Sequence, residues 1–336
     1  MKSTEEKYIK RCIELAKNGL GTTYPNPLVG SVIVYKDEII GEGWHKKAGE
    51  PHAEVIAINS VKDKSLLFKA TIYVSLEPCS HFGKTPPCCN LILANNIPNV
   101  VIGTMDPFAK VAGNGIKKLV EARKNVTVGI LEDECNKLNK RFFTFHNKKR
   151  PYVILKWAES LDGFIAPLTK EKKEPVWITN EYSRQLVHKW RSEEQAILVG
   201  TNTVIDDNPS LTTRDWTGNS PIRIVLDQNN RISKENHIFD NQAKTILLSG
   251  TEIDYSKKIG IQIADYLFNN NIQSVIIEGG RQTLQTFIDE NIWDEAHIFK
   301  GKKPLIKGIK APIIKCKNVK QQTILEDELL IFFNHD

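Results

Sequence analysis

The stretch LEPCSHFGKTPPCCN, residues 76–90, gathers Cys79, Cys88 and Cys89 among three prolines. Some 25 residues upstream, GEPHAEVIAI carries His52 and Glu54. Imidazole and thiolate are zinc donors, and a catalytic zinc keeps three protein ligands and one position open for water. His52, Cys79 and Cys88 make such a set. Glu54, two residues after His52, is badly placed to share the metal from the same side. It can reach a water held there, which is the position of a general acid/base. Zinc would lower the pKa of that water, Glu54 would take its proton, and the hydroxide would attack a carbon bearing an amino group. Glu54 would then return protons to the ring nitrogen and the leaving ammonia.

Zinc-dependent nucleoside and base deaminases carry His-x-Glu followed by Pro-Cys-x-x-Cys. Here Pro78-Cys79 is followed by eight residues, not two, before Cys88. His52-x-Glu54 alone is weak evidence. Joined to Pro78-Cys79 and a second cysteine that opens a helix, it becomes strong. Cys89 stands about 100° round that helix from Cys88 and is expected to face the core. The plainer alternative makes Cys88 or Cys89 a buried core thiol and Cys79 incidental. The loop SHFGKTPP places His81 and Lys84 beside the metal. In the second half, SVIIEGGRQTLQTF runs strand, Glu278, Gly279, Gly280, helix. Two glycines let a backbone approach closely, and a helix N-terminus can hold a phosphate. A tight strand-to-helix turn is the plainer reading. No GxGxxG fingerprint is present.

These residues need elements to position them. Ser3 and Glu6 suggest a capping box, and Tyr8, Ile9, Cys12, Ile13 and Ala16 line one helical face. Residues 28–35 and 38–45 read as a strand pair. Pro51 opens a helix through about 59. A strand over 70–76, a helix over 88–96, a strand over 99–105, a helix over 113–123, a strand over 126–130 and a helix over 131–146 follow. NKKRP (147–151) is a polar, basic boundary ending in proline, which divides the chain into domains 1–148 and 149–336. The second alternation has strands at 152–158, 195–199, 222–226, 244–248 and 273–278, and helices at 180–192, 262–269 and 280–290. Gly200, Thr203, Asp207 and Arg214 are expected on a strand end and the loop beyond. Strands alternating with helices point to an α/β fold of sandwiched layers.

A length of 336 residues suits two domains. Six cysteines, three of them within eleven residues, are no disulfide scaffold, and in a reducing compartment such a cluster binds metal or does chemistry. Residues 1–149 hold 22 Lys+Arg against 15 Asp+Glu, a balance of +7; the remainder holds 24 against 25, or −1. A basic half suits an anionic partner, either a phosphorylated small molecule or a nucleic acid; a solvated Lys-rich surface explains it equally. No apolar run approaches the roughly 20 residues of a membrane span. The N-terminus reads as an amphipathic helix, not a signal peptide, so a cytoplasmic protein is expected.

Four stretches, HAEV, LEPCSHFGKTPPC, PNPLVG and MDPFAKVAGNG, resemble the deaminase half of the bifunctional riboflavin-biosynthesis deaminase/reductases, where the widened cysteine spacing is characteristic. LKWAESLDGFIA, ILVGTNTVIDDNPSLTTR and SVIIEGGRQTLQTF resemble the reductase half. The resemblance covers essentially the whole chain. It implies a cytidine-deaminase-like three-layer α/β/α domain followed by a dihydrofolate-reductase-like α/β domain, with Zn2+ and NADPH as cofactors. It implies that Asn26, His45, Lys84, Asp106 and Asn114 line the deaminase pocket. By the same resemblance Ala158, Trp177, Thr203, Asp207, Gly280, Arg281, Gln282 and Thr283 meet NADPH, and Arg191, Leu211, Arg214 and Glu278 meet the substrate. Lys156 and Asp207 lie near hydride transfer. Phe164 stands where relatives usually carry a basic residue, and Pro175 where they often carry serine. The expected partner is a phosphorylated pyrimidine, with no nucleic acid, no membrane, and a homo-oligomeric state. The rivals are a nucleoside or tRNA deaminase with a non-catalytic C-terminal domain, a zinc module without catalysis, and a deaminase with an inactive reductase half.

Overall fold

The computed structural model describes residues 2–82, 86–108, 113–170 and 173–334. The chain divides into two compact units, Met1–Lys148 and Lys149–Asp336. The first unit runs α1 (Lys2–Lys17), β1 (Gly30–Tyr35), β2 (Glu38–Trp44), α2 (Ala53–Ser60), β3 (Thr71–Leu76), α3 (Cys88–Ala94), β4 (Asn99–Thr104), α4 (Asn114–Glu121), β5 (Asn125–Val128), α5 (Glu132–Leu138) and α6 (Lys140–Lys148). Its strands form one sheet in the order β2-β1-β3-β4-β5. β1 is antiparallel to β2 and β3, whereas β3, β4 and β5 are parallel.

Side chains alternate between the faces of a strand, and the core divides accordingly. Ile33, Ile72, Val74, Val100 and Ile102 pack with Ala57 of α2, Ile92 of α3 and Leu119 of α4. Val32, Val34, Tyr73 and Val101 pack with Tyr8, Ile9 and Cys12 of α1 and Cys135 of α5. The result is three layers, α/β/α. α1 already includes Ser3, which therefore sits inside the first turn and not ahead of it as a capping box requires. α2 lies very close to β2. A Cβ on Gly41 would come 2.5 Å from the Ala57 carbonyl oxygen, and one on Gly43 would come 2.6 Å from Ile56 Cβ. The two glycines, two residues apart on one face of β2, let the helix descend onto the sheet.

The single helix expected over 131–146 is two, α5 and α6, separated at Asn139. The buried Asn139 amide explains the break. Its Oδ1 accepts from Leu28 N–H and its Nδ2 donates to the Leu28 carbonyl, both at 2.8 Å. Both main-chain groups of the irregular segment ahead of β1 are thus satisfied from 111 residues away.

The second unit runs β6 (Tyr152–Glu159), β7 (Phe164–Pro167), α7 (Glu181–Glu193), β8 (Ala196–Gly200), α8 (Thr201–Asp207), β9 (Ile222–Leu226), β10 (Thr245–Leu248), α9 (Ile259–Asn269), β11 (Ser274–Glu278), α10 (Arg281–Asp289), β12 (Glu295–Lys300), β13 (Gly308–Lys310), β14 (Val319–Ile324) and β15 (Asp327–Phe333). Its main sheet is ordered β10-β9-β8-β11-β6-β12-β15-β14. The first six are parallel; β15 and β14 add antiparallel pairs. β7 and β13 form a separate ribbon. Val153, Leu155, Trp157, Leu198, Val275 and Ile277 face one core, so Lys156, Val199 and Glu278 project from the opposite face. Lys156 and Glu278 are register partners on adjacent strands.

Two expectations are corrected here. Residues 201–207 are a helix, α8, not loop; Gly200 ends β8 and leads directly into it. The sequence reading also assigns nothing beyond residue 290, yet β12, β14 and β15 lie there. β14 is exposed almost throughout. β12 buries two polar residues whose pairing, His297 Nε2 with Glu295 Oε2 at 3.0 Å, makes that burial tolerable. Neither pattern shows the apolar alternation that marks a strand.

Asn139→Ala strands both Leu28 groups, and an unsatisfied buried polar group costs about 1–3 kcal/mol. The expected loss is about 3 kcal/mol of unfolding free energy for the first unit, read by denaturant titration; a midpoint unchanged from the parent protein would refute the account.

Candidate active sites

α2 starts at Ala53 with His52 as its N-cap, and the imidazole makes no capping hydrogen bond. The ring is therefore free to face the thiols. Its Nδ1 lies 3.3 Å from Cys88 Sγ and 3.7 Å from Cys79 Sγ. Cys88 is the first residue of α3, and its N–H donates to Cys79 Sγ at 3.3 Å. The three donor atoms lie within 4.8 Å of one another, and the described residues bring no fourth His, Cys, Asp or Glu atom into the group. One nitrogen and two sulfurs fit zinc, and three ligands leave a position open. A hydrogen bond from the Cys88 thiol, aided by His52 and the Cys88 N–H, brings Cys79 down to about 4 against the opposing effect of burial. Cys88 moves the other way, raised by its hydrogen bond to Cys79, by burial and by the Glu54 charge. The hydrogen bond to Cys79 likewise raises His52. Cys89 is fully buried in the α2–α3–α4 core and its Sγ points at the Pro78 carbonyl, away from the group.

Glu54 is 3% exposed, and burial foremost raises its carboxyl. It meets the Cys88 thiol. His45 stands beside His52, ring centroids 5.4 Å apart. Asn26 Nδ2 lies 3.1 Å from His45 Nε2, and the Pro51 carbonyl lies 3.2 Å from His45 Nδ1. An amide N–H can only donate, so Nε2 accepts and Nδ1–H donates to Pro51; His45 is neutral, consistent with its lowering by burial. Asp106 is buried, accepts from Phe108 N–H at 2.7 Å, and is pushed up to about 6, chiefly by burial. Asn114 is the exposed first residue of α4. Lys84 lies outside the described residues.

Sequence reasoning missed Glu77. It is buried at the end of β3 and accepts four backbone N–H groups, from Asp106 and Gly113 on Oε2 and from Gly115 and Ile116 on Oε1. A carboxylate immediately before Pro78-Cys79 was the available signal. It neutralises the start of α4, where unpaired N–H groups and the helix dipole favour an anion. Gly115 completes the fit, since a Cβ there would lie 2.2 Å from the Pro78 carbonyl oxygen.

The second unit holds a cavity of about 1090 Å³. Of the residues predicted there, Lys156, Ala158, Trp177, Arg191, Thr203, Asp207, Leu211, Arg214, Glu278, Gly280, Arg281 and Gln282 all line it. Thr283 does not; it is buried behind the wall. Arg191 Nη2 donates to Glu278 Oε2 at 2.8 Å and Lys156 Nζ lies 3.9 Å from Glu278 Oε1. Burial would raise Glu278, but the charges of Arg191 and Lys156 outweigh it and hold the carboxyl at about 2. Burial lowers Lys156. Arg191 Nε and Glu278 Oε1 are buried without a hydrogen-bond partner, as a floor awaiting a polar ligand would be. Gly279 (φ +104°) and Gly280 (φ +65°) need glycine's freedom, and a Cβ on Gly279 would come 2.8 Å from Thr203 Oγ1. Asp207 pairs with Lys170. Arg184 stacks on the exposed Trp177 ring at 4.7 Å. Pro175 lines the cavity, and Phe164 opens β7 opposite Lys310. Lys170, Arg184 and His188 are wall residues the sequence reading did not name. His188 and Arg191, one turn apart on a helix, were the one legible sign.

Residues 2–104 match the cytidine and deoxycytidylate deaminase zinc-binding region, and residues 151–326 match the RibD C-terminal domain. The riboflavin biosynthesis protein RibD of Aquifex aeolicus is 37% identical over 99% of this chain and 99% of its own. That of Bacillus amyloliquefaciens is 41% identical over 92% of this chain and 87% of its own. The crystal structure of a diaminohydroxyphosphoribosylaminopyrimidine deaminase/5-amino-6-(5-phosphoribosylamino)uracil reductase from Thermotoga maritima superposes with a TM-score of 0.89, at 37% identity and 99% coverage of both chains. RibD of Acinetobacter baumannii gives 0.87 at 31% identity, again over 99% of both.

Asp106 titrates above the ordinary 3.8 when folded. The folded protein therefore holds a proton that the unfolded chain has released, and stability falls as pH rises from about 4 to about 6. Asp106→Asn removes that loss. Its stability relative to the parent is expected to climb by up to about 3 kcal/mol across this window and then stay level; an equal difference at pH 4 and pH 7 in urea titrations would overturn the assignment.

Proposed function

The chain belongs to the RibD family of riboflavin-biosynthesis proteins, and from that premise we propose how its residues divide the work. It is a bifunctional deaminase and reductase that uses zinc and NADPH. We assign deamination to residues 1–148 and reduction to residues 149–336. The first substrate is 2,5-diamino-6-ribosylamino-4(3H)-pyrimidinone 5′-phosphate, which loses its 2-amino group. The second is the resulting 5-amino-6-ribosylaminouracil 5′-phosphate, whose ribosyl group becomes ribityl. A deaminase with a non-catalytic C-terminal domain is not favoured, because residues 151–326 match the RibD C-terminal domain.

The observation that carries the first assignment is a three-donor group with a buried carboxylate two residues from its histidine. His52, Cys79 and Cys88 would hold zinc, which supplies a Lewis acid that makes water nucleophilic at neutral pH. Glu54 takes a proton from the attacking water and delivers it to the ring nitrogen, then takes the second proton from the newly added hydroxyl as the carbonyl forms and passes it to the departing amino group. Its raised value suits a group that must both accept and return a proton. Asn26, His45, Asp106, Asn114 and Lys84 are assigned to the pyrimidine and its phosphate. The Asn26–His45 hydrogen bond supports the placing of the first two.

In the second site Ala158, Trp177, Thr203, Asp207, Gly280, Arg281 and Gln282, but not the buried Thr283, are assigned to NADPH, which supplies hydride. Arg191 and Arg214 are assigned to the phosphate, for which the planar guanidinium is suited, and Leu211 and Glu278 to the ribose. Lys156 is partly buried and faces Glu278. Burial weakens its hold on a proton, and we assign that proton to the sugar oxygen freed as the ribosyl ring opens. A phosphorylated pyrimidine is thus the small-molecule partner, and we place the enzyme in the cytoplasm as a homo-oligomer without nucleic acid. No helix among the described residues is long and apolar enough to cross a membrane.

The test is NADPH oxidation by purified protein given the diaminopyrimidinone phosphate, run beside Glu54→Ala. The variant is expected to lose ammonia release by about a thousandfold and to recover NADPH oxidation fully when given the deaminated intermediate. Ammonia release without NADPH oxidation, even with the intermediate supplied, refutes the reductase assignments. Metal analysis adds a second check. Cys79→Ser and Cys88→Ser are expected to lose zinc, whereas Cys89→Ser retains one ion per chain; zinc loss in Cys89→Ser would sink the ligand set.

A further inference from the structure

Three elements meet at the substrate end of the reductase cavity. α7 contributes His188 and Arg191, one turn apart; residues 208–214 contribute Leu211 and Arg214; β11 ends in Glu278. α7 grips the 208–214 segment at two successive points. Arg191 Nη1 donates to the Thr212 carbonyl at 3.3 Å, and His188 Nδ1 accepts the Arg214 N–H at 3.1 Å. Leu211 between these grips and Asn208 has φ +55°, a left-handed conformation that a side chain of this kind seldom adopts unless its surroundings impose it. The Arg214 main chain is thus held, while its guanidinium makes no hydrogen bond or ion pair among the described residues. Arg214 is exposed and lines the cavity with its charge unspent.

His188 looks at first like a third cation for a phosphate. Its hydrogen bonds exclude this. Nδ1 is occupied as an acceptor, so the ring proton sits on Nε2, which lies 3.3 Å from Asp215 Oδ2. Both nitrogens are spoken for within the protein. The ring is only 4% exposed. The charged groups facing it are Arg191 on its own helix, Arg214 and Asp215 from the neighbouring segment, and Glu278 from β11. Burial first, then the two arginines, bring it down to about 4, so it is neutral whenever the enzyme works. A protonated ring would lose the acceptor and set a third positive charge beside two guanidiniums.

We propose that His188 is a positioning residue: as a neutral Nε2–H imidazole it fixes the Arg214 backbone so that the guanidinium meets the phosphate of the reductase substrate. This rests on the assignment of Arg214 to that phosphate. The substitutions separate the two ideas. Asparagine can place Oδ1 where Nδ1 accepts, whereas glutamine carries its acceptor one carbon too far.

The experiment is steady-state reduction of 5-amino-6-ribosylaminouracil 5′-phosphate and of its dephosphorylated counterpart by the full chain. His188→Gln is expected to raise KM for the phosphorylated substrate about tenfold, the usual scale for one lost buried hydrogen bond. It leaves kcat and the KM for NADPH unchanged, and it has no effect on the dephosphorylated substrate. His188→Asn stays within about threefold of the parent, because the acceptor is restored. Arg214→Ala raises the same KM. If Arg214→Ala does not, the assignment of Arg214 is wrong; if it does while His188→Gln does not, or if Asn and Gln behave alike, the inference about His188 is wrong. Should His188→Gln fail to fold, imidazole 15N resonances of the unsubstituted protein decide. An Nε2–H tautomer whose Nδ1 resonance moves on adding ribose 5-phosphate supports the proposal, and an Nδ1–H tautomer, or no movement, overturns it.

Discussion

Two thiols and an imidazole do not gather within 4.8 Å inside a protein unless their backbones are fixed and their charge is offset. Most of the first unit serves that demand. His52 and Cys88 stand at the starts of α2 and α3, so the polar ends of two helices converge on the donors. The Cys88 N–H donates to Cys79 Sγ, which is what an unpaired N–H at a helix start does best beside a thiolate. α2 reaches its position only because β2 lacks side chains at Gly41 and Gly43. Cys79 is held from behind, since Glu77 binds the start of α4 and Gly115 lets that helix abut Pro78. The metal group is therefore tied to the sheet through three helices.

The second unit solves a related problem without a metal. Arg191 and Glu278 are buried and Lys156 is partly so, and isolated burial of any one would be costly. Parallel register places Lys156 directly across from Glu278, and α7 lays Arg191 against the same carboxylate. One carboxylate between two cations leaves the cluster net positive. Two of its polar atoms remain without partners, Arg191 Nε and Glu278 Oε1. A floor that is cationic and incompletely satisfied suits an anionic ligand bearing hydroxyls. Gly279 and Gly280 open the other side of the cavity by bringing backbone, not side chain, to the start of α10.

Strands and helices with strong periodicity were legible in the sequence, as was the grouping of His52, Cys79 and Cys88, because His-x-Glu and Pro-Cys are local patterns. What escaped was anything whose reason is remote. The break at Asn139 depends on Leu28, and Glu77 acquires its role only when residues 106–116 fold over it. β12 hides behind Glu295 and His297, polar residues whose pairing with each other helps make their burial tolerable. α8 is one short helix between a strand and a turn, too brief for periodicity to declare itself. In the reductase cavity the residues carried over by resemblance were found on the wall, except Thr283, whereas His188 required seeing which main-chain N–H it meets.

Charge shows the same distinction between composition and placement. The surplus of +7 lies in residues 1–149, and the remainder of the chain is −1. Composition alone would direct an anionic ligand to the first half. Yet the second unit sets Lys156 and Arg191 against the buried carboxylate of Glu278, and the exposed Arg214 lines the same cavity. Several of its acidic residues are spent elsewhere: Asp294 holds Arg150, Asp240 holds Arg223, and Asp327 accepts from Asn180 and Ser183. Those carboxylates are matched by their own local partners and do not answer the cations of the cavity. What a phosphate meets is the local field of the cavity, and that field is set by which cations the fold leaves without an acidic partner. Arg214 is such a cation only because its backbone is held by a neutral histidine and not by a carboxylate, which would have neutralised the charge it was meant to present.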